Sequence, residues 1–411
     1  MRVYFYLSEL QRKEYNIRLL QLLCAKYNVA VTDSADDADC VWVSLCDIVD
    51  LPILFQAKKL KKPIVVGGSI AHLPVLRMLA DYVCVGEGYH FVEAFSKCKT
   101  LSDIEKIEEV STRDKVGTPN EFIDYKFNPI VQVTNQGYYY YTGKGCPQKC
   151  KFCLMSYTRE WQTAPEAYII NALKSIPSKG KLYTMSSYFS YQHIPRELCR
   201  KLGVQDAKVK EYVRTNGEGI GHRIRVGIEF ADEKLRKGLA KPILDHDISE
   251  FIRITKEHKC EATVYFVGGL ENTEQINSFL SKWPEDGSLS PRLILIFTYI
   301  DPQWPTPMGD FDIRNKIAIN TDRIFQVAQS HNRRIRVHKA KYIAHSSWRT
   351  IMQRASTIDE AMFAWGLRNC KDNDLLLRST ERQYPHLLGT ADLGQILSRP
   401  RIAIQPGKDR R

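Results

Sequence analysis

The sequence predicts an α/β protein in three segments: a small parallel α/β domain at residues 1–125, a partial barrel at 126–340, and a basic helical extension at 341–411. Three observations support this division. Short apolar runs alternate with helix-length segments over most of the chain. A chain of 411 residues is too long for one ordinary hydrophobic core. Positive charge is concentrated in the last quarter of the chain, which separates that quarter from the rest.

The composition is that of a globular protein, with 44% hydrophobic and 26% charged residues. The apolar runs are far shorter than the roughly 18 residues that cross a membrane. The first residues also lack the apolar core of a signal peptide. We therefore expect a cytoplasmic protein with no membrane partner.

The first segment alternates predicted strands with predicted helices. The strands are expected at 3–7, 29–31, 40–44, 63–69 and 82–85, and the helices at 16–27, 52–60, 75–80 and 91–98. This alternation is typical of a small Rossmann-like domain with a parallel sheet. The hydrophilic stretch 99–120 that follows is predicted to be a linker.

The second segment repeats the strand–helix alternation. Its strands are expected at 138–142, 182–186, 210–214, 225–229, 262–267, 293–297 and 334–338. Such a repeat predicts a full or partial (β/α) barrel, in which the chemistry lies at the carboxyl ends of the strands.

Three of the 11 cysteines are clustered, as Cys146, Cys150 and Cys153. The odd count argues against a disulfide framework, and the other eight are scattered and are expected to be mostly buried hydrophobic residues. The three cysteines have the spacing C-x3-C-x2-C and directly follow a predicted strand, so one loop can bring three thiolates to a single metal centre. Zinc usually takes four ligands, commonly as two separated pairs. An iron–sulfur cluster fits better, and three thiolates would leave one iron open.

This motif, with Phe152 before its third cysteine, resembles the signature of the radical S-adenosylmethionine (SAM) superfamily. The resemblance implies a partial (β/α)6 barrel with a [4Fe–4S] cluster on the three cysteines and SAM bound to the open iron. Electron transfer would then cleave SAM to methionine and a 5′-deoxyadenosyl radical. It also implies a reductase or a flavodoxin-type electron donor as a partner.

Further segments resemble the superfamily in chain order. Glu229 ends the fourth-strand pattern, where the resemblance implies an acid near the ribose of SAM. Gly268 and Gly269 match the glycine turn near the adenine, and Ser186 and Arg214 follow the second and third strands as cofactor contacts. The residues themselves leave plainer alternatives open: a surface carboxylate, an ordinary turn and a structural salt bridge.

The N-terminal segment resembles the second half of a cobalamin-binding domain at residues 65–68 and 81–88. It has no D-x-H-x-x-G motif, and its first half is short. We therefore expect that cobalamin binding, although compatible with the fold, has been lost.

The basic segment 314–411 holds 19 Lys and Arg against 8 Asp and Glu, which accounts for +11 of the total charge of +12. Arg334, Arg336 and His338 would share one face of a strand. Cations near aromatic residues suit nucleic-acid phosphates and a stacked base. The alternative is an ordinary strand with solvated charges.

These patterns predict a radical SAM enzyme that remodels a nucleobase or its appended group in tRNA or in hypermodified phage DNA. A first alternative is a cobalamin-dependent radical SAM methyltransferase that acts on a small molecule or peptide. A second alternative is a nucleic-acid binder whose cluster is structural.

Overall fold

The computed structural model forms two compact units, one containing Met1–Asp124 and the other Tyr125–His345. The predicted extension 341–411 lies outside the residues that the structure describes. These are 1–8, 15–46, 50–127, 130–132, 137–140, 142–146, 148–153, 161–176, 181–183, 190–191, 194–202, 206–208, 218–219, 223–258, 261–268, 270–280, 294–299 and 336–337.

The first unit is built on a six-stranded sheet with the order β2-β1-β3-β4-β5-β6. The strands are β1 (Arg2–Phe5), β2 (Ala30–Val31), β3 (Cys40–Ser44), β4 (Ile64–Gly67), β5 (Tyr82–Cys84) and β6 (Val110–Ser111). The first five are parallel and β6 is antiparallel to β5. All of β3 is buried, as expected for a strand covered on both faces. The predicted α/β fold with a parallel sheet is therefore confirmed.

Five α-helices accompany this sheet in the described residues: α1 (Tyr15–Lys26), α2 (Leu51–Ala57), α3 (Leu76–Leu79), α4 (Tyr89–Ser96) and α5 (Leu101–Glu105). Trp42 of β3 packs against helix α4, with ring centroids 5.2 Å from Phe91 and 5.0 Å from Phe95. It also contacts Phe5 of β1 at 5.5 Å. These aromatic contacts fix α4 against the centre of the sheet.

The linker predicted at 99–120 is wrong, because the stretch contains α5 and the edge strand β6. Thr100 and Asp103 form a capping box at the start of α5. Ile104, Ile107 and Val110 are buried. Their spacing of three residues buries one apolar face despite the hydrophilic composition of the stretch.

The second unit contains twelve described strands in four sheets. The strands are β7 (Val131–Gln132), β8 (Gly137–Tyr139), β9 (Gly143–Lys144), β10 (Gln162–Thr163), β11 (Lys181–Tyr183), β12 (Ser190–Tyr191), β13 (Asp206–Lys208), β14 (Glu218–Gly219), β15 (Arg223–Glu229), β16 (Glu261–Gly268), β17 (Ile294–Tyr299) and β18 (Arg336–Val337). The helices are α6 (Glu166–Ser175), α7 (Arg196–Leu202), α8 (Glu233–Gly238), α9 (Asp245–Glu257) and α10 (Thr273–Leu280).

The predicted strand–helix alternation is clearest in the parallel sheet β15-β16-β17-β18. Its four strands overlap the predictions at 225–229, 262–267, 293–297 and 334–338. A second sheet has the order β13-β11-β8-β7, in which β8 and β11 are parallel. In the described part of the chain these strands form separate sheets rather than one continuous barrel sheet.

One prediction around the first barrel strands needs correction, and one observed strand has no predicted counterpart. The strand expected at 138–142 ends at Tyr139, and the chain then forms β9, which pairs antiparallel with β10. The strand β13 was not predicted, and it runs antiparallel to β11. The predicted strand 210–214 lies outside the described residues.

No helix within the described ranges is both long enough and apolar enough to span a membrane.

Candidate cluster and cofactor site

The three clustered cysteines lie in a loop that follows β9. Gly145 begins this loop with a left-handed backbone, φ 73°. Cys150 is buried, whereas Cys146 and Cys153 are half-buried. The amide of Cys153 donates to the carbonyl of Cys150 at 3.1 Å and closes a tight turn. This turn gives the end of the loop a defined conformation, and we call residues 145–153 the cysteine loop.

The cysteine loop is docked on the end of helix α8. The amide of Lys151 donates to the carbonyl of Leu239 at 2.9 Å. The Cys150 thiol donates to the carbonyl of Ala240, with Sγ and O separated by 3.5 Å. These bonds use carbonyls that a helix end leaves without an intrahelical partner. They bring the loop next to the segment that leads to Lys241.

An aromatic contact reinforces this docking. Phe152 packs edge-to-face on Phe230, with ring centroids 5.4 Å apart. Phe230 and Leu239 are buried, and Leu235 and Leu270 pack against them. The aromatic residue before the third cysteine therefore anchors the cysteine loop to the hydrophobic core below β15.

Glu229 lies at the carboxyl end of β15, beside the cysteine loop. Its carboxylate oxygen is 3.4 Å from the Lys241 ammonium, and both side chains are largely buried. Glu229 has φ 72°, a left-handed conformation that costs a residue with a side chain about 1–2 kcal/mol. The register of β15 shifts between Gly227 and Glu229, and a side chain at 227 would collide with the Glu229 carboxylate. A glycine at 227 therefore lets the carboxylate lie over the strand.

Burial dominates the electrostatics of the thiols. It raises the pKa of Cys150 to about 12, with smaller opposing effects from Lys241 and reinforcing effects from Cys153, Cys146 and Glu229. Burial likewise raises the pKa of Cys146, and Lys241 again opposes the rise. Because a buried thiol resists ionisation, a bound cation is needed to hold these residues as thiolates.

The donor set fits an iron–sulfur cluster. Three cysteine thiols on one loop are the ligand type that such a cluster takes, and in a four-iron cluster each thiolate binds a different iron. Among the described residues, no three His, Cys, Asp or Glu side chains are arranged around a single ion position.

The structure brings together only part of the predicted cofactor site. Gly268 ends β16, the neighbour of β15, so it lies on the same sheet edge as Glu229. Arg336 lies in β18, where it pairs with Ile296 through the backbone. The remaining predicted site residues lie outside the described chain and stay predictions: Ser186, Arg214, Gly269, Arg334 and His338.

Two buried charged residues beside Glu229 were not predicted. Arg236 is completely buried and donates to the carbonyls of Phe230 and Ala231 at 2.7 and 2.8 Å. Glu271 is also buried, and it accepts from the amide of Asp232 at 2.7 Å. Arg236 has the sequence pattern of an exposed helical residue. The one sequence feature that marks Glu271 is its position just after the predicted glycine turn.

The first unit has open space at the carboxyl edge of its parallel sheet. In a doubly wound sheet, ligands bind outside the carboxyl ends of the strands, where the strand order reverses, and here that point lies between β1 and β3. Gly67 ends the adjacent strand β4, and a Cβ at this position would meet no atom within 4 Å. The next residue, Gly68, has φ 106° and packs on the backbone of Leu45, the residue after β3. The chain thus leaves open space at this edge.

The comparison with solved structures identifies the fold. No protein-family model and no curated protein sequence matches the chain. A radical SAM methyltransferase, TsrM from Kitasatospora setae, with cobalamin and a [4Fe–4S] cluster bound, matches with TM-score 0.51 and 12% identity, over 75% of this chain and 76% of that one. TsrM with tryptophan substrate and a SAM analogue matches with TM-score 0.50 and 13% identity, over 75% and 74%.

A second protein gives the same result over more of the chain. The cobalamin-dependent SAM radical enzyme OxsB, with aqua-cobalamin and SAM bound, matches with TM-score 0.50 and 11% identity, over 96% of this chain and 77% of that one. These neighbours do not support the expectation that cobalamin has been lost. The chain therefore has the fold of a radical SAM protein with a cobalamin-binding-like N-terminal domain.

Proposed function

We propose that this protein is a cobalamin-dependent radical SAM enzyme that transfers a methyl group to a small organic molecule. One observation carries the proposal: the cysteine loop is docked beside the buried Glu229–Lys241 pair at the carboxyl end of a parallel strand. A loop of three thiolates next to a carboxylate supplies ligands for a cluster and an acceptor for the cofactor.

The residues of the site have distinct roles. Cys146, Cys150 and Cys153 hold the cluster, and Glu229 accepts from the ribose hydroxyls of SAM. Lys241 offsets the charge of Glu229 in its buried position. When bound, the reduced cluster supplies an electron to SAM and cobalamin supplies a methyl carrier.

The first unit supports the cobalamin part of the proposal. Its sheet has the order of a doubly wound domain, and Gly67 leaves open space at the edge where such domains bind ligands. One matching structure of TsrM and one of OxsB contain cobalamin, and another TsrM structure contains tryptophan as its substrate. The nucleic-acid substrate predicted from the sequence has no support from these neighbours, so the first alternative, with a small molecule as substrate, replaces it here.

The test is reconstitution without oxygen, followed by analysis of iron, cobalt and products. Protein supplied with iron, sulfide and hydroxocobalamin should contain about four irons and one cobalt per chain. With a reductant and SAM, a methyltransferase should release S-adenosylhomocysteine when a methyl acceptor is present. Release of 5′-deoxyadenosine alone would support radical SAM chemistry without methyl transfer. Release of neither product would reject the enzyme proposal and leave a structural cluster.

Two substitutions assign the cofactors to their sites. Gly67→Leu fills the open space and should weaken hydroxocobalamin binding, whereas iron content should stay unchanged. Glu229→Ala should weaken SAM binding by roughly 10- to 150-fold, the value of one charge-assisted hydrogen bond. Glu257→Ala, which removes an exposed carboxylate of α9, is the control and should change neither affinity. Unchanged SAM affinity in Glu229→Ala would remove Glu229 from the site.

A titration with nucleic acid separates the proposal from the reading that it replaces. Phosphate binding through Arg334 and Arg336 would give an affinity for tRNA or DNA that falls steeply with salt. A small-molecule enzyme should show no measurable affinity for either at low salt. If tRNA or DNA binds in a salt-dependent way, and if replacing Arg334 and Arg336 together weakens that binding, the nucleic-acid prediction is restored.

A further inference from the structure

Arg236 on helix α8 is a fully buried cation with four hydrogen-bond acceptors around it. Its Nε donates to the carbonyl of Ile243 at 2.9 Å, and its Nη1 donates to the carbonyls of Phe230 and Ala231. Its Nη2 donates to the carboxylate of Asp245. A guanidinium suits this position because its planar fork reaches several acceptors at once and stays charged when buried.

The acceptors of Arg236 lie on two separate backbone segments. Phe230 and Ala231 directly follow Glu229, and Ile243 lies two residues after Lys241. One side chain therefore ties together the two segments that carry the Glu229–Lys241 pair. Within the described residues, Arg236 forms no hydrogen bond or ion pair with either of these charged side chains, so any effect on them acts through the backbone.

Glu271 holds the same turn from its other side. Its carboxylate accepts from the amide of Asp232 at 2.7 Å, and the amide of Ala231 adds a second bond. The peptide groups after Glu229 are thus held by a guanidinium at their carbonyls and by a carboxylate at their amides. A left-handed residue with a side chain persists only when its surroundings determine its conformation, and these bonds supply that determination.

We propose that Arg236 is a positioning residue for SAM binding: it fixes the backbone on both sides of the Glu229–Lys241 pair and so holds the Glu229 carboxylate where the cofactor ribose binds. This inference rests on the proposed function, in which Glu229 contacts SAM. It predicts that the site is formed before SAM arrives.

The test compares Arg236→Met and Arg236→Lys with the wild-type protein after reconstitution. Iron content, thermal unfolding and SAM affinity are measured on each, the last from the change that SAM produces in the electron paramagnetic resonance spectrum of the reduced cluster. We expect Arg236→Met to keep its iron and to bind SAM about 10- to 100-fold more weakly, as losing a supporting residue typically costs. Arg236→Lys keeps the positive charge but loses the planar guanidinium. Its SAM affinity should therefore lie between those of Arg236→Met and the wild-type protein.

Lys201→Met is the matched control, since it removes another partly buried cation of the same unit, paired with Asp247 at 3.0 Å. It should leave SAM affinity unchanged. If Arg236→Met keeps its iron and binds SAM within twofold of the wild-type protein, the inference is overturned while the proposed function stands. If the wild-type protein binds iron but not SAM, the proposed function fails, and the inference fails with it.

Hydrogen exchange on the wild-type protein covers the case in which Arg236→Met does not fold. The amides of Ala231 and Asp232 should exchange slowly before SAM is added, because Glu271 already accepts from both. SAM should change their exchange little. Fast exchange that slows only with SAM would mean that the cofactor orders the turn, which contradicts the positioning role.

Discussion

In each unit a residue at the end of a strand has a left-handed backbone conformation, but the type of residue differs. In the first unit, the loop after β4 turns through Gly68, whose φ of 106° brings it onto the backbone of Leu45. In the second unit, β15 ends at Glu229, which is also left-handed but carries a side chain. The glycine relieves the strain by itself. The glutamate requires the buried bonds of Arg236 and Glu271 to hold its turn.

This difference indicates which of the two strand ends depends on other residues for its conformation. A glycine edge is stable by its local conformation and leaves open space for a ligand, as at Gly67. A strained residue that is held by buried charged side chains lowers the stability of the folded state, and such residues concentrate at functional sites. The strained backbone at Glu229 therefore supports the proposed cofactor site at the end of β15.

The largest effect on stability is expected for Gly68→Ala. Its Cβ would collide with the backbone of Leu45, and an L-residue avoids the φ of this position. We expect a loss of about 3 kcal/mol or more in the free energy of unfolding, measured with urea. Gly67→Ala is the matched control at the adjacent position, where the Cβ has free space, and it should cost far less. Equal losses at both positions would remove the argument for the glycine edge.

An effect of similar size is expected for the pH dependence that Glu271 gives to stability. Burial raises the pKa of Glu271 from 4.5 to about 7; Asp232 adds to the rise, and the amides of Asp232 and Ala231 and the charge of Arg236 oppose it. The folded protein thus holds this proton more tightly than the unfolded chain. Its contribution to stability is complete below about pH 4.5 and falls by about 3 kcal/mol as the pH rises to about 7.

Glu271→Gln should flatten this part of the profile, because the amide oxygen still accepts from the backbone but carries no charge. The profile is measured by urea unfolding between pH 4.5 and 8. Glu250→Gln, at an exposed position of α9 where an ion pair with Arg253 lowers the pKa, should leave the slope unchanged. A slope that persists in Glu271→Gln would show that another group titrates there.

The smallest effect is expected for Ala240→Gly. This substitution places a glycine at a left-handed position of the second unit, as the first unit does at Gly68. Ala240 has φ 57° just after the end of α8, a position that favours glycine. The substitution should raise the free energy of unfolding by about 1 kcal/mol, the strain that a side chain pays there. Thermal unfolding checks this, and a loss of stability would mean that Ala240 is not strained.

Elements with a local signal were predicted well from the sequence. The four strands of the β15–β18 sheet are short apolar runs with bounds close to the predicted ones, and the cysteine spacing marked its own loop. Glu229 is a predicted site residue because it ends such a run, and its role stays a prediction. In each case the deciding information lies within a few consecutive residues.

Features that depend on distant contacts were not predictable in this way. Arg236 is buried only because four acceptors from two other segments surround it, and no helical periodicity reports that. The composition of the stretch 99–120 predicts a linker, because its many charged residues outweigh the three apolar residues that the fold buries. The missing D-x-H-x-x-G motif predicts loss of cobalamin, whereas the sheet order and the open edge at Gly67 are visible only in the folded unit.

The most direct test of the account is the iron content and SAM cleavage of Cys150→Ala. The wild-type protein, purified and reconstituted without oxygen, should hold about four irons per chain and consume SAM when reduced. Cys150→Ala should lose most of the iron and all cleavage. Cys199→Ala, which removes another buried cysteine of the same unit, should retain both. Wild-type iron and cleavage in Cys150→Ala would contradict the account, because the cysteine loop would then not hold the cluster.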